Sequence, residues 1–193
     1  YLLRRDDEKT HKVSAGVSSE ICSEFNRLLE NADAVIFSDY NKGFFTPENA
    51  QQMIAECRAR NVPVIVDLKP ANAAIFRGAT VVAPNLKEAK EISAGFDPAQ
   101  EKESMAALYA VLGAGEIVVT VGADGMLTYD GETVSRIAGR KVKAVDPCGC
   151  GDTVRACLTL GLVSGLSLPA AAEFANYAAS LVVQKLGTAT LTP

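Results

Sequence analysis

The sequence predicts an α/β fold, a doubly wound and mostly parallel sheet with helices on both faces. Short continuous apolar runs such as ADAVIF and VPVIV have the length of strands buried on both sides. Stretches with apolar residues at helical spacing alternate with them, and the polar and glycine residues gather in the loops between. Such alternation calls for right-handed crossovers that lay helices over the sheet.

In chain order, Ser18 or Ser19 is expected to cap a helix whose apolar residues Ile21, Phe25, Leu28 and Leu29 share a face, ending near Asn31. The strand AVIFS, 34–38, follows. After the loop DYNKGFF, Thr46 as N-cap and Pro47 at the first helical position open a helix carrying Met53, Ile54 and Cys57, which stops near Asn61. VPVIVD, 62–67, and TVVAPN, 80–85, are the next two strands. Asn85 starts the helix LKEAKEISA, another helix covers 101–112, and EIVVTVG, 116–122, is a strand. Asp130-Gly131 between the alternating segments of GMLTYDGETVSRI signals a hairpin. Two helices, 151–165 and 168–186, complete a single unit, residues 1–193, with no repeat, low-complexity segment or linker. Ligands of parallel sheets sit outside the carboxyl ends of the strands, so the loops after Ser38, Asp67, Pro84, Val121 and Val145 should share one rim.

Composition narrows the function classes. Hydrophobic residues make up 48% and charged residues 22% of the chain, the balance of a folded globular protein. A net charge of −4, with acidic and basic residues well mixed, offers no basic stripe to nucleic acid or to an anionic membrane. No apolar run approaches the roughly 20 residues of a bilayer-crossing helix. The start YLLRRDDEKT has no Met and no secretory signal, and is expected to be internal to a longer protein. Cys22, Cys57, Cys148, Cys150 and Cys157 are odd in number and scattered, which does not resemble a disulfide framework and points to a reducing cytoplasm.

The stretch DPCGCGDT, 146–153, carries the most chemistry. Tetrahedral zinc needs four ligands, and neither a second cysteine pair nor more than one histidine, His11, is available. A redox pair at a helix start is expected as C-x-x-C rather than C-x-C. Phosphate suits the remaining residues: Gly149 and Gly151 let the backbone turn sharply, and a helix starting there adds free N–H groups and its positive dipole end. Asp152 then either caps that helix or takes a proton from a hydroxyl attacking phosphorus.

DPCGCGDTVRACL resembles the carboxyl-terminal signature of the ribokinase-like (PfkB) carbohydrate kinases, D-T-x-G-A-G-D, with Asp146, Gly149, Gly151, Asp152 and Thr153 matching. Pro147 stands in place of the usual Thr, and Cys150 in place of a small Ala or Gly. SDYNKG, VPVIVDLK, RGATVVAPNLKE, VVTVGADGM and FANYAASLVVQKLGTATLTP are similar to one branch, the D-glycero-β-D-manno-heptose-7-phosphate kinases of ADP-heptose and lipopolysaccharide synthesis. DLKP departs from the DPKG common in that branch.

The resemblance implies a ribokinase-like fold, ATP and Mg²⁺, and a sugar phosphate acceptor. It makes Asp152 the catalytic base and gives Gly149, Cys150 and Gly151 the anion-hole amides. Asn85 and Glu88 match the N-x-x-E motif, with Glu88 holding Mg²⁺ through water. Thr120, Gly122 and Gly125 match a loop lying along ATP, where side chains would block close approach, and Asn176 a position near adenine. Asp146 and the backbone at Cys148 resemble a monovalent-cation site, for K⁺. Lys42 and Lys69, at strand ends, could neutralise phosphates, with surface lysine as the alternative. The resemblance also implies that the family's amino-terminal lid portion, which commonly pairs subunits into a homodimer, is absent, leaving an exposed sheet edge and an apolar patch. Cys150 is a candidate for blocking by alkylation or oxidation.

Overall fold

The structure, a computed structural model, describes residue 8 and residues 10–191. Its strands are β1 (Val35–Ser38), β2 (Val64–Asp67), β3 (Val81–Val82), β4 (Glu116–Thr120), β5 (Gly125–Tyr129) and β6 (Val134–Ala138). They form one sheet in sequential order: β1 to β4 run parallel, and the β5–β6 hairpin is antiparallel. This is the expected mostly parallel α/β architecture. Helices α1 (Ala15–Leu29), α2 (Pro47–Ala59), α3 (Leu86–Ile92) and α4 (Glu101–Leu112) precede or connect the parallel strands, and α5 (Cys150–Val163) and α6 (Leu168–Val182) follow the hairpin.

The period-two direction of strand side chains divides the interior into two cores. Val64, Val66, Ile117, Val119 and Leu127 point to the side of α1, α2 and α4, where Cys22, Met53, Ile54, Met105 and Leu108 meet them. Ile65, Val81, Val118 and Met126 point the other way, onto Val154, Leu158, Ala171 and Ala175 of α5 and α6. Helices on both faces bury the inner parallel strands β2 to β4, which is why those strands read as unbroken apolar runs.

Several boundaries moved for identifiable reasons. The first helix begins a turn before Ser18: Ser14 is extended and its hydroxyl accepts from the Val17 N–H, while the Ser18 N–H bonds the Ser14 carbonyl at 2.8 Å. The weak helix formers Gly16 and Val17 concealed that start. Thr46 and Pro47 open α2 as expected, with Asn49 completing a capping box. β3 is short because Pro84 has no N–H to donate, and only an isolated bridge joins Asn85 to Thr120 beyond it. A 3₁₀ helix, Pro70–Phe76, was not anticipated, and α6 stops at Val182 rather than 186.

β1 is an edge strand. Beside it an apolar groove of about 1060 Å³ is lined by Phe25, Leu28, Ile36, Tyr40 and Phe44, which gives the expected edge and apolar patch a location.

Candidate active site

The loop into α5 is shaped by one glycine and one carboxylate. Gly149 lies at φ 78°, in the left-handed region that favours glycine, and the helix begins at the next residue without a side-chain cap. Asp146 closes the turn: Oδ1 accepts the Cys148 N–H and Oδ2 the Gly187 N–H, each at 2.9 Å. Those two backbone donors, Cys148 first, hold its carboxyl below the usual range. Thr153 donates its hydroxyl back to the Gly149 carbonyl at 2.9 Å.

The Cys150 amide differs from the expected anion hole, since it donates to the Pro147 carbonyl at 3.2 Å as part of this turn. The N–H groups of Gly151 and Asp152 bond no acceptor among the described residues, as the first turn of a helix leaves them. Asp152 does not cap α5. Its side chain is 75% exposed, and among the described residues its polar partner is Arg155, with Nη1 3.4 Å from Oδ1.

Opposite lies the start of α3. Asn85 Oδ1 accepts from the Glu88 N–H and Glu88 Oε2 from the Asn85 N–H, both at 3.0 Å, a reciprocal capping box. Glu88 is buried rather than on a solvated face, and Lys69 Nζ lies 2.8 Å from its Oε1. That hydrogen bond raises the Lys69 pKa. Each Glu88 oxygen therefore already holds one N–H donor. The remaining lone pairs suit Mg²⁺ held through its own waters better than direct ligation, which fits an ion that dehydrates reluctantly. Among the described residues no group of three or more His, Cys, Asp or Glu gathers to hold a metal directly.

Asn85, Thr120, Pro147, Gly151 and Arg155 line one cavity of about 340 Å³ at the carboxyl ends of β3 and β4, so the structure brings the N-x-x-E box and the glycine loop together. Sequence reasoning passed over two buried carboxylates at neighbouring strand ends. Asp67, at the end of β2, is pushed up in pKa by burial, against the opposing charge of Arg155. Asp39 is buried at the end of β1 and accepts from the Lys69 N–H and from Asn72 Nδ2, tying the β1 and β2 loops.

Other expected residues stand apart from that cavity. Gly122, at φ 62°, faces open space, whereas a Cβ at Gly125 would meet the Ile137 carbonyl oxygen at 2.0 Å. The close approach that requires this glycine is the hairpin's own, with Gly139 against Ala123 as its counterpart. Asn176 donates to the Ala138 carbonyl at 2.9 Å and lines a separate cavity of about 470 Å³ with Ser135, Arg140 and Glu173. Lys42 pairs with Glu8 and borders the β1 groove. Burial pushes the Cys150 thiol pKa up, which lowers its thiolate fraction; Cys148 is the exposed thiol of the two.

The sequence profile of the pfkB family carbohydrate kinases matches residues 8–193. The chain belongs to that family. It is 38% identical over 195 residues to the bifunctional protein HldE of Pseudomonas aeruginosa strain LESB58, covering 99% of this chain and 40% of that protein. The HldE of Trichlorobacter lovleyi is 34% identical over 197 residues, again with 40% of its length covered. The chain thus spans about two fifths of the curated relatives it matches. Among solved structures, phosphofructokinase-2 from Escherichia coli in complex with potassium superposes with a TM-score of 0.77 at 21% identity, over 92% of this chain and 59% of that one. Arabidopsis thaliana ribokinase with ribose and ATP gives 0.69 at 22% identity, over 85% and 54%. These two show a shared ribokinase-like fold. No helix among the described residues is long and apolar enough to cross a membrane.

Proposed function

We propose that this chain carries the phosphoryl-transfer half of a pfkB kinase that moves the γ-phosphoryl group of ATP to the anomeric hydroxyl of D-glycero-β-D-manno-heptose 7-phosphate. The product is the 1,7-bisphosphate, a step of ADP-heptose synthesis for the lipopolysaccharide core. The observation that carries the reading is the start of α5. Asp152 is free of any capping role beside two unbonded amides, across a 340 Å³ cavity from the Asn85–Glu88 box. In this reading Asp152 accepts the proton of the attacking hydroxyl. The amides of Gly151 and Asp152, with the positive end of α5, face the charge that develops on the phosphoryl oxygens. Mg²⁺, held through water by Glu88, would neutralise charge between the β- and γ-phosphates. Thr120 and Gly122 border the nucleotide, and Asn176 the side nearest adenine. Asp146 and the Cys148 backbone are the place for K⁺. Lys69 is the phosphate-side cation, released from Glu88 when substrate enters.

The test is Asp152→Asn. ADP release should fall by on the order of 10²- to 10⁴-fold while Mg·ATP binding, measured by calorimetry, stays nearly unchanged. Undiminished turnover would sink the assignment. A second reading, a nucleotide-binding module without catalysis, is favoured by one observation: Lys42, a candidate ligand for the sugar phosphate, is neutralised by Glu8 and lies outside the phosphate cavity. It predicts Mg·ATP binding with no ADP release for any sugar phosphate.

A further inference from the structure

One turn beyond Asp152 on α5, Arg155 points inward. Its neighbours Val154, Cys157 and Leu158 are core residues, and its own side chain is only 15% exposed, uncommon for an arginine. Nη2 lies 2.6 Å from Oδ1 of Asp67, whose side chain is 9% exposed, a close and buried ion pair. Nη1 lies 3.4 Å from Asp152 Oδ1, and Nε is buried without a partner. A buried ion pair with incomplete hydrogen bonding is poor for stability, and an apolar residue would fill this position more favourably. Room for the guanidinium comes from Gly151, where a Cβ would stand 2.9 Å from Nη1.

The sheet fixes the far end of this arrangement. Asp67 pairs in register with Ser38, and its carbonyl accepts the Asp39 N–H at 2.8 Å, so its carboxylate is held from a rigid strand. The near end is the exposed first turn of α5, where an aspartate alone would exchange freely among rotamers. A planar guanidinium can span two carboxylates in a fixed fork.

We infer that Arg155 is a positioning residue: anchored on Asp67, it holds the Asp152 carboxylate at the mouth of the phosphate cavity. The inference rests on Asp152 being the base. It extends the site to a residue type that contacts the reacting hydroxyl only through its neighbour, and makes the β2 terminus part of the catalytic support.

The test compares Arg155→Met combined with Asp67→Asn against the parent and against Asp152→Asn. The second substitution removes the carboxylate that Arg155→Met alone would leave buried and unpaired, which protects the fold. With Mg·ATP and heptose 7-phosphate, kcat of the double variant should fall about 10- to 100-fold while KM for ATP stays within about threefold, the pattern of a misplaced group rather than a lost binding contact. Independently of turnover, three-bond couplings across χ1 of Asp152, measured without nucleotide, should show one dominant rotamer in the parent and averaging in the double variant. Parent-like kcat in the double variant, with Asp152→Asn inactive, overturns the role of Arg155 alone, as do unchanged couplings. Parent-like turnover in Asp152→Asn overturns the functional reading and this inference with it.

Discussion

Two helices begin on the rim of this sheet and they begin differently. α3 closes its own start, with Asn85 and Glu88 exchanging hydrogen bonds and Lys69 taking the remaining Glu88 oxygen. α5 leaves its start open, with a left-handed glycine at the cap position and an aspartate that bonds none of the helix's amides. An N-terminal amide already satisfied by a side chain is structure, whereas one left free at a 14-residue helix is a standing offer to an anion. The same residue chemistry, a carboxylate at the third helical position, therefore closes one helix start and leaves the other open.

The largest separation between the two should come from Gly151→Ala. Alanine is favoured over glycine in a helix by roughly 0.5–1 kcal/mol, which offsets part of what parting Arg155 from the buried Asp67 carboxylate costs, so Tm should change little. The new Cβ displaces the Arg155 guanidinium, and kcat should fall by about tenfold or more. An unchanged Tm together with full turnover would break the claim that the open start is functional. Asn85→Ala should do the reverse. Losing the α3 cap costs about 0.5–2 kcal/mol, a few degrees in Tm by calorimetry, with a smaller effect on kcat than Gly151→Ala has.

Most of the fold was legible because the inner parallel strands are buried on both sides and their apolar runs are uninterrupted, as in Val64–Val66 and Ile117–Val119. Thr46-Pro47 and Asp130-Gly131 marked their boundaries through local chemistry alone. What stayed hidden is non-local. Asp67 and Arg155 are far apart in sequence, and no periodicity shows that an arginine on α5 turns inward to a strand end. Gly125 was legible as a constrained glycine but not as to its cause, because the Ile137 carbonyl that crowds it lies across the hairpin. An inward-facing charge at a core-spaced position of α5, between Val154 and Leu158, was the available signal for Arg155.

The smallest expected effect concerns what holds the open start in place without a cap. Asp146, outside the helix, receives the Cys148 and Gly187 amides, and these donors favour its ionised form in the folded chain. A carboxyl whose folded pKa lies below its unfolded value of about 3.9 stabilises the fold fully above that value. Its contribution disappears as pH falls through the lowered folded pKa. The loop should thus be unaffected by titration from neutral pH down to the ordinary carboxylate range and loosen only in stronger acid. Hydrogen exchange at the Cys148 and Gly187 amides reads this directly. Asp146→Asn should exchange faster than the parent at neutral pH, because a neutral amide oxygen is a weaker acceptor and its nitrogen cannot accept the second N–H. Parent and variant should converge only in acid; equal protection at neutral pH would show that α5's open start is held by something other than Asp146.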